Sequence, residues 1–280
     1  MSDIKISDAI LYGNKNLKKT SSNYINETIW ILSSLLSIPI SQLVLNQKQK
    51  IHNNDYSAFK KLIKRRRNEP LQIILGNTSF YGRDFIINKN VFIPRPETEI
   101  MIDILKAESR EFNSVLEIGS GSGIIPITIF LEKISTNITS IDINYDAYQL
   151  SKQNAKIHNS NEIHFMNENI FKYNSKNKFD LIISNPPYIP IKDVIKLENE
   201  VILYDPLESL TDFGNGLKFF QLFFQRLKQY LNKDGIMLFE FGGLSQINDI
   251  KKLLIDITDE ISFYKDLNND PRFVLLRLNS

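Results

Sequence analysis

Four consecutive residues, Asn185-Pro186-Pro187-Tyr188, carry groups that can grip a planar amino group. A carboxamide oxygen and a neighbouring proline carbonyl are both acceptors, and together they match the two hydrogens of –NH2. Two prolines in a row remove two backbone donors and confine their own φ angles. The turn is therefore stiff and presents its carbonyls outward. A tyrosine ring beside them can cover the flat face of the group and lie close to a cation. The pattern suits alkylation of an amide or aromatic amine nitrogen, a poor nucleophile that must be oriented rather than simply deprotonated. Asn185, Pro186 and Tyr188 are the candidate catalytic residues, and the whole run from Asn185 through Pro187 to Tyr188 is the candidate substrate grip. The competing interpretation is a rigid turn at a strand end with no chemistry.

A second constellation precedes it. Gly119-Ser120-Gly121-Ser122-Gly123 follows one apolar run and opens a helical one. Glycines let the backbone turn sharply and let a ligand come close to it. Asp142 ends the next apolar run, where a carboxylate can accept from both hydroxyls of a ribose. Glu117, beside the loop, can meet an ammonium group directly or through water, and Asn169 with Ile170 can line an adenine. An adenosine-containing ligand fits this set. Gly-x-Gly-x-Gly differs from the Gly-x-Gly-x-x-Gly of dinucleotide sites, which counts against NAD.

The elements that must hold these residues follow from periodicity. Helical spacing fills the first 75 residues, with Ile25, Ile29, Leu32 and Leu36 on one face and Phe59, Leu62 and Ile63 continuing it. Residues 76–97 read as a β-hairpin and linker, turning at Gly82-Arg83-Asp84, and Pro96 with Glu97 and Glu99 marks a helix start. From 98 to 280, short apolar strands alternate with helices: strands over 115–118, 138–143, 163–166, 179–183 and 236–241, and helices over 124–134, 145–158, 217–231 and 246–255. Two last strands, 261–264 and 273–278, have no helix between them. Repeated βα units ending in a strand pair predict an α/β fold, a mainly parallel sheet with one antiparallel strand near its edge.

Composition narrows the class. The chain has 280 residues, 42% hydrophobic and 24% charged, with net charge +2, enough for one large or two modest domains. That charge demands no nucleic-acid partner. The absence of cysteine excludes disulfides and thiolate metal sites. His52, His158 and His164 share no ligand spacing, so no metal is expected. No apolar run reaches membrane-spanning length, and Met1-Ser2-Asp3-Ile4-Lys5 lacks a signal pattern, so a cytoplasmic protein off the membrane is expected. The basic run Lys60, Lys61, Lys64, Arg65, Arg66, Arg67 reads as a solvated helix face, with an acidic protein or RNA as the sharper alternative. Trp30 and the segment Phe219, Phe220, Phe223, Phe224 read as core, and Glu240 as structural.

Leu116-Glu117-Ile118-Gly119-Ser120-Gly121-Ser122-Gly123 together with Asn185-Pro186-Pro187-Tyr188 resembles the class I S-adenosylmethionine-dependent methyltransferases that act on planar nitrogens. Ile93-Pro94-Arg95-Pro96-Glu97-Thr98-Glu99, Glu200, Tyr204-Asp205-Pro206, Asp266 and Asn269-Asp270-Pro271-Arg272 sharpen the resemblance to the HemK/PrmC family, across essentially the whole chain. That resemblance implies a Rossmann-like seven-stranded sheet behind a small helical substrate-recognition domain. It implies S-adenosyl-L-methionine as cofactor, S-adenosyl-L-homocysteine as product, and methylation of the glutamine N5 in the GGQ motif of peptide-chain release factors by a monomer. Gly119 to Gly123 would contact the cofactor, Asp142 its ribose, Asn185 to Tyr188 the substrate amide, and 94–99 would pack over the cofactor. Two positions depart from the family pattern: Ile170 stands where an aromatic is common and Asn169 where Asp is common. Ile170 can still cover adenine, and the Asn169 oxygen can still accept from an amino group. The alternatives are N6-adenine methylation of DNA or RNA, where a flipped base offers a similar –NH2, and methylation of a ribosomal-protein glutamine. Direct nucleic-acid binding is not expected, because the first 75 residues lack a strongly basic character.

Overall fold

The computed structural model describes residues 4–258 and 260–278, so Met1 to Asp3, considered above for a leader pattern, lie outside the described residues. The chain divides between Asn77 and Thr78 into two compact units.

The first unit is helical: α1 (Ile6–Leu17), α2 (Tyr24–Leu36), α3 (Ile40–Leu45), α4 (Asn53–Arg66) and α5 (Leu71–Leu75). Its core joins Ile6, Ala9 and Leu17 of α1 to Ile31 and Leu32 of α2 and Phe59 and Ile63 of α4. The buried face of α2 is rotated from the one periodicity predicts. Glu27, Thr28, Ile31 and Leu32 are inside, Ile25 is 49% exposed, and Trp30, expected in the core, is 38% exposed. That face carries an ion pair: the Arg66 guanidinium donates to both carboxylate oxygens of Glu27, at 2.8 and 3.1 Å, with both side chains buried. Arg66 therefore leaves the solvated run, and Arg65 pairs with Glu69 at 2.7 Å. Lys60, Lys61, Lys64 and Arg67 instead line a hollow between α1 and α4.

The second unit begins with a hairpin, β1 (Asn77–Phe80) and β2 (Arg83–Ile86). Its turn is Tyr81-Gly82, one step before the predicted position, with both residues at positive φ as a two-residue hairpin loop requires. Pro96–Glu99 forms a 3-10 turn leading into α6 (Ile100–Ala107). The alternation then runs β3 (Val115–Ile118), α7 (Ile124–Leu131), β4 (Ile138–Asp142), α8 (Tyr145–Ile157), β5 (His164–Asn167) and β6 (Phe179–Ser184). Three short helices follow, α9 (Ile191–Val194), α10 (Asn199–Tyr204) and α11 (Leu207–Leu210), then α12 (Lys218–Phe224) and α13 (Leu227–Tyr230). The chain continues through β7 (Leu231–Glu240), α14 (Ile247–Leu254), β8 (Ile261–Lys265) and β9 (Pro271–Arg277). The single helix expected over 217–231 is broken at Arg226, whose guanidinium turns to the carbonyls of Ile170, Phe171 and Tyr173.

Seven strands form one sheet in the order β5-β4-β3-β6-β7-β9-β8. All are parallel except β9, which runs antiparallel to both neighbours. Alternate strand residues feed two apolar layers: Leu181, Ile183, Ile236 and Leu238 on one face, Ile182, Met237 and Phe239 on the other. This is the fold predicted from the alternation. Among the described residues no helix is long and apolar enough to cross a membrane.

Candidate active site

Strand register brings the two constellations together. Ile118 of β3 pairs with Ser184 of β6, and the Ser184 hydroxyl donates to the Ile118 carbonyl at 2.8 Å. Gly119 and Asn185, the next residues, therefore leave adjacent parallel strands side by side. On the other flank Ile118 pairs with Ile141, which sets Asp142 at the same edge. Strand order reverses between β3 and β6, and such a reversal opens a crevice at the carboxyl ends of the strands. A cavity of about 310 Å³ lies there, lined by Gly119, Ser120, Gly121, Ser122, Asp142, Asn169, Ile170, Asn185, Pro186 and Pro187.

The glycine loop serves two purposes. Gly121 adopts φ 54°, a Cβ there would meet nothing within 4 Å, and its N–H donates to Asp142 Oδ2 at 2.9 Å. Asp142 Oδ1 accepts from the Asn144 N–H at 2.8 Å, so each carboxylate oxygen keeps acceptor capacity for a ligand. Burial raises the Asp142 pKa against the lowering effect of those two donors. Gly123 has φ 81° and a Cβ would stand 3.0 Å from that of Ser151. It is not among the residues lining the cavity, and its missing side chain lets α7 approach α8.

Glu117 is likewise outside the cavity lining. It lies on β3 with 1% exposure, and the Ser140 hydroxyl donates to its Oε2, while Ser120 and Ser140 hydroxyl oxygens are 2.7 Å apart. Its Oε1 has no hydrogen-bond partner among the described residues. Burial pushes this carboxyl well above the usual carboxylate range, with the Ser140 hydrogen bond opposing.

The far wall differs from expectation in two respects. Asn169 Oδ1 accepts from the Phe171 N–H at 2.9 Å and so caps its own turn. The oxygen proposed to receive an amino group thus has one lone pair taken and one left. Beside the buried Ile170, the rings of Phe92, Phe171 and Phe219 line the cavity, supplying the aromatic surface that Ile170 lacks. Phe219 is thus wall as well as core.

At the proline corner, Asn185 Nδ2 reaches Thr98 Oγ1 at 3.5 Å, and Pro186 is buried. Tyr188 does not line the cavity. Its hydroxyl donates to Glu240 Oε1 at 2.7 Å and its carbonyl accepts from Gln246 Nε2 at 2.9 Å. Burial, with the Glu240 charge adding, drives its phenol well above its ordinary value. These two bonds brace the corner from behind. Glu240 is fully buried and also accepts from Thr98 Oγ1 at 3.0 Å. An acid closing a buried strand is the signal that singled out Asp142, and applied to Glu240 it would have found this network. Asp205 accepts from the Ile93 N–H at 3.0 Å and from Arg95, holding the cavity wall at Phe92 and Pro94 against that at Pro206, Glu208 and Ser209. Among the described residues no group of three or more His, Cys, Asp or Glu could hold a metal ion.

A glycine turn and an Asn-Pro-Pro corner sharing one crevice on this sheet define a class I S-adenosylmethionine-dependent methyltransferase. The chain matches the family model described as Methyltransferase small domain over residues 94–233 and that described as PrmC N-terminal domain over 8–76. It is 34% identical over 268 residues to the release factor glutamine methyltransferase of Fusobacterium nucleatum, covering 93% of this chain and 75% of that one. To the release factor glutamine methyltransferase of Bacillus cereus it is 33% identical over 232 residues, covering 80% and 81%. The bifunctional methyltransferase of Rickettsia prowazekii matches at 32% over 267 residues, but this chain spans only 51% of its length. A Pyrococcus furiosus methyltransferase structure superposes with TM-score 0.54 at 18% identity, covering 72% and 92%, and shares the fold. The chain belongs to the HemK/PrmC family.

Proposed function

We propose that this protein transfers a methyl group from S-adenosyl-L-methionine to the side-chain amide nitrogen of a glutamine in peptide-chain release factors. One observation carries the proposal: the Asn185-Pro186-Pro187 corner and the glycine loop wall the same cavity. The names of the Fusobacterium and Bacillus relatives support the substrate class.

The residues present fit the cofactor. Asp142 offers two carboxylate oxygens with spare acceptor capacity to the ribose hydroxyls. Glu117 Oε1, buried without a partner, is an acceptor in search of a donor, which the methionine ammonium supplies directly or through water. Open space above Gly121 admits the backbone-hugging portion, and Ile170 with its aromatic neighbours covers the adenine. When bound, the cofactor supplies a methyl group made electrophilic by the sulfonium.

The protein's task is then alignment and electrostatics. An amide nitrogen shares its lone pair with its carbonyl. Asn185 Oδ1 and the Pro186 carbonyl, by accepting both N–H groups, concentrate electron density on nitrogen and fix its direction. The same acceptors stabilise the positive charge that develops there in a water-poor pocket. Tyr188 and Gln246 keep the corner rigid. No strong base is required before attack, since the methylated nitrogen can release its proton to water.

The test is labelled methyl transfer to purified release factor, to the same factor with its glutamine replaced, and to DNA in parallel. Label on the release factor that vanishes with the glutamine is the expected result. Label on DNA alone overturns the proposal.

A further inference from the structure

The four-atom arrangement behind Asn185 contains a direction. A carboxamide is nearly symmetric in shape, so only its partners decide whether its oxygen or its –NH2 faces a given side. Burial raises the Glu240 pKa, while its bonds from Tyr188 and Thr98 and the Arg272 charge favour the carboxylate, which can only accept hydrogen bonds. Its two oxygens take one donor each, Tyr188 Oη at 2.7 Å and Thr98 Oγ1 at 3.0 Å. A threonine hydroxyl has one hydrogen, and here it is committed to Glu240. Thr98 Oγ1 can therefore only accept from Asn185, which turns Nδ2 towards it at 3.5 Å. Among the described residues no donor engages Asn185 Oδ1, so that oxygen remains for the cavity that both Asn185 and Thr98 line. Glu240 thus holds both ends of the Asn-Pro-Pro-Tyr run, Tyr188 directly and Asn185 through Thr98.

We propose that Glu240, acting through Thr98, is a positioning residue that sets the Asn185 carboxamide with its oxygen facing the nitrogen to be methylated. The inference rests on the methyl-transfer function proposed above. Thr98→Val keeps the shape and removes the hydroxyl, so Asn185 loses the partner that orients it. In Glu240→Gln the new –NH2 can donate to Thr98, which is then free to donate to Asn185 and present the wrong end of the carboxamide to the cavity.

The experiment measures kcat for methyl transfer and the Kd of S-adenosyl-L-homocysteine by calorimetry, using the full chain. Thr98→Val and Glu240→Gln are expected to lower kcat by about tenfold to a hundredfold, as for loss of one oriented polar partner, with little change in Kd. Thr98→Ser, which restores the hydroxyl, should recover most of the loss. Wild-type kcat in Thr98→Val, an equal loss in Thr98→Ser, or a parallel loss of cofactor affinity would each overturn the inference. If wild-type protein labels DNA and not release factor, the functional proposal fails, and the Val–Ser contrast is then read on DNA. Independently of any substrate, the Asn185 side-chain amide resonances in asparagine-labelled protein should shift in Thr98→Val and stay in place in Thr98→Ser; the same shift in both also overturns it.

Discussion

Two buried glutamates, one in each unit, are held in opposite ways. In the helical unit Glu27 lies inside with the Arg66 guanidinium across both its oxygens, and Ser21 donates to Oε1 at 2.8 Å. In the sheet unit Glu117 lies inside with one oxygen satisfied by Ser140 and the other without a partner among the described residues. A buried charge is expensive unless paired, so the first arrangement closes a core and the second keeps a group in reserve. In the helical unit the completed network serves the core, whereas the open oxygen of Glu117 is available to a donor from outside the chain.

The comparison can be broken most severely at Arg66. Arg66→Ala leaves Glu27 buried without its cation and is expected to cost about 3–5 kcal/mol of stability, read by urea unfolding. A cost near that of an exposed substitution would show that the pair is dispensable. Asn185→Ala should lower kcat by about a hundredfold to a thousandfold while calorimetry shows cofactor affinity nearly unchanged. Equal losses in both would remove Asn185 from the substrate side of the site.

Glu117→Gln sharpens the contrast. Loss of the carboxyl that would pair with the ammonium should weaken S-adenosyl-L-homocysteine binding by about tenfold or more, measured by calorimetry. Its effect on the free protein has the opposite sign. The folded pKa is raised above the ordinary 4.5, so the wild-type contribution is complete below that value and is lost as pH rises towards the folded value. The variant escapes this loss. Its melting temperature should therefore gain on wild type as pH rises from 4 to 8, by about 2–4 °C per kcal/mol; a gap independent of pH would show that Glu117 does not titrate inside the fold. The smallest effect is expected at Lys64, where Lys64→Ala should change stability by no more than about 0.5 kcal/mol and leave methyl transfer unaltered. A raised KM for release factor would turn the basic hollow into a docking surface.

Much of the sheet unit is legible in the chain because strand and helix periods alternate there up to β6; the short helices α9, α10 and α11 that follow carry too few residues to show a period. Asp142 and Asn185 stand out because a polar side chain directly after an apolar run must sit at a strand's end. What local pattern misleads on is instructive. Gly123 looks like Gly119 and Gly121, yet it is also tied to Ser151, distant in sequence, which leaves no room for a Cβ there. Tyr188 belongs to the substrate motif by position, yet Glu240 draws its hydroxyl away from the cavity. Trp30 and Ile25 follow a core periodicity, yet the buried face is the one that carries the Glu27–Arg66 pair.

Sequence alone determined the order of elements, the parallel sheet and the two chemical clusters, because propensity and periodicity act over neighbouring residues. Tertiary structure decided which polar atoms already have partners and which do not. Partnership depends on side chains brought within about 3 Å by strands far apart in the chain: Thr98, Asn185, Tyr188 and Glu240 meet only after the sheet has formed. No local pattern encodes that meeting.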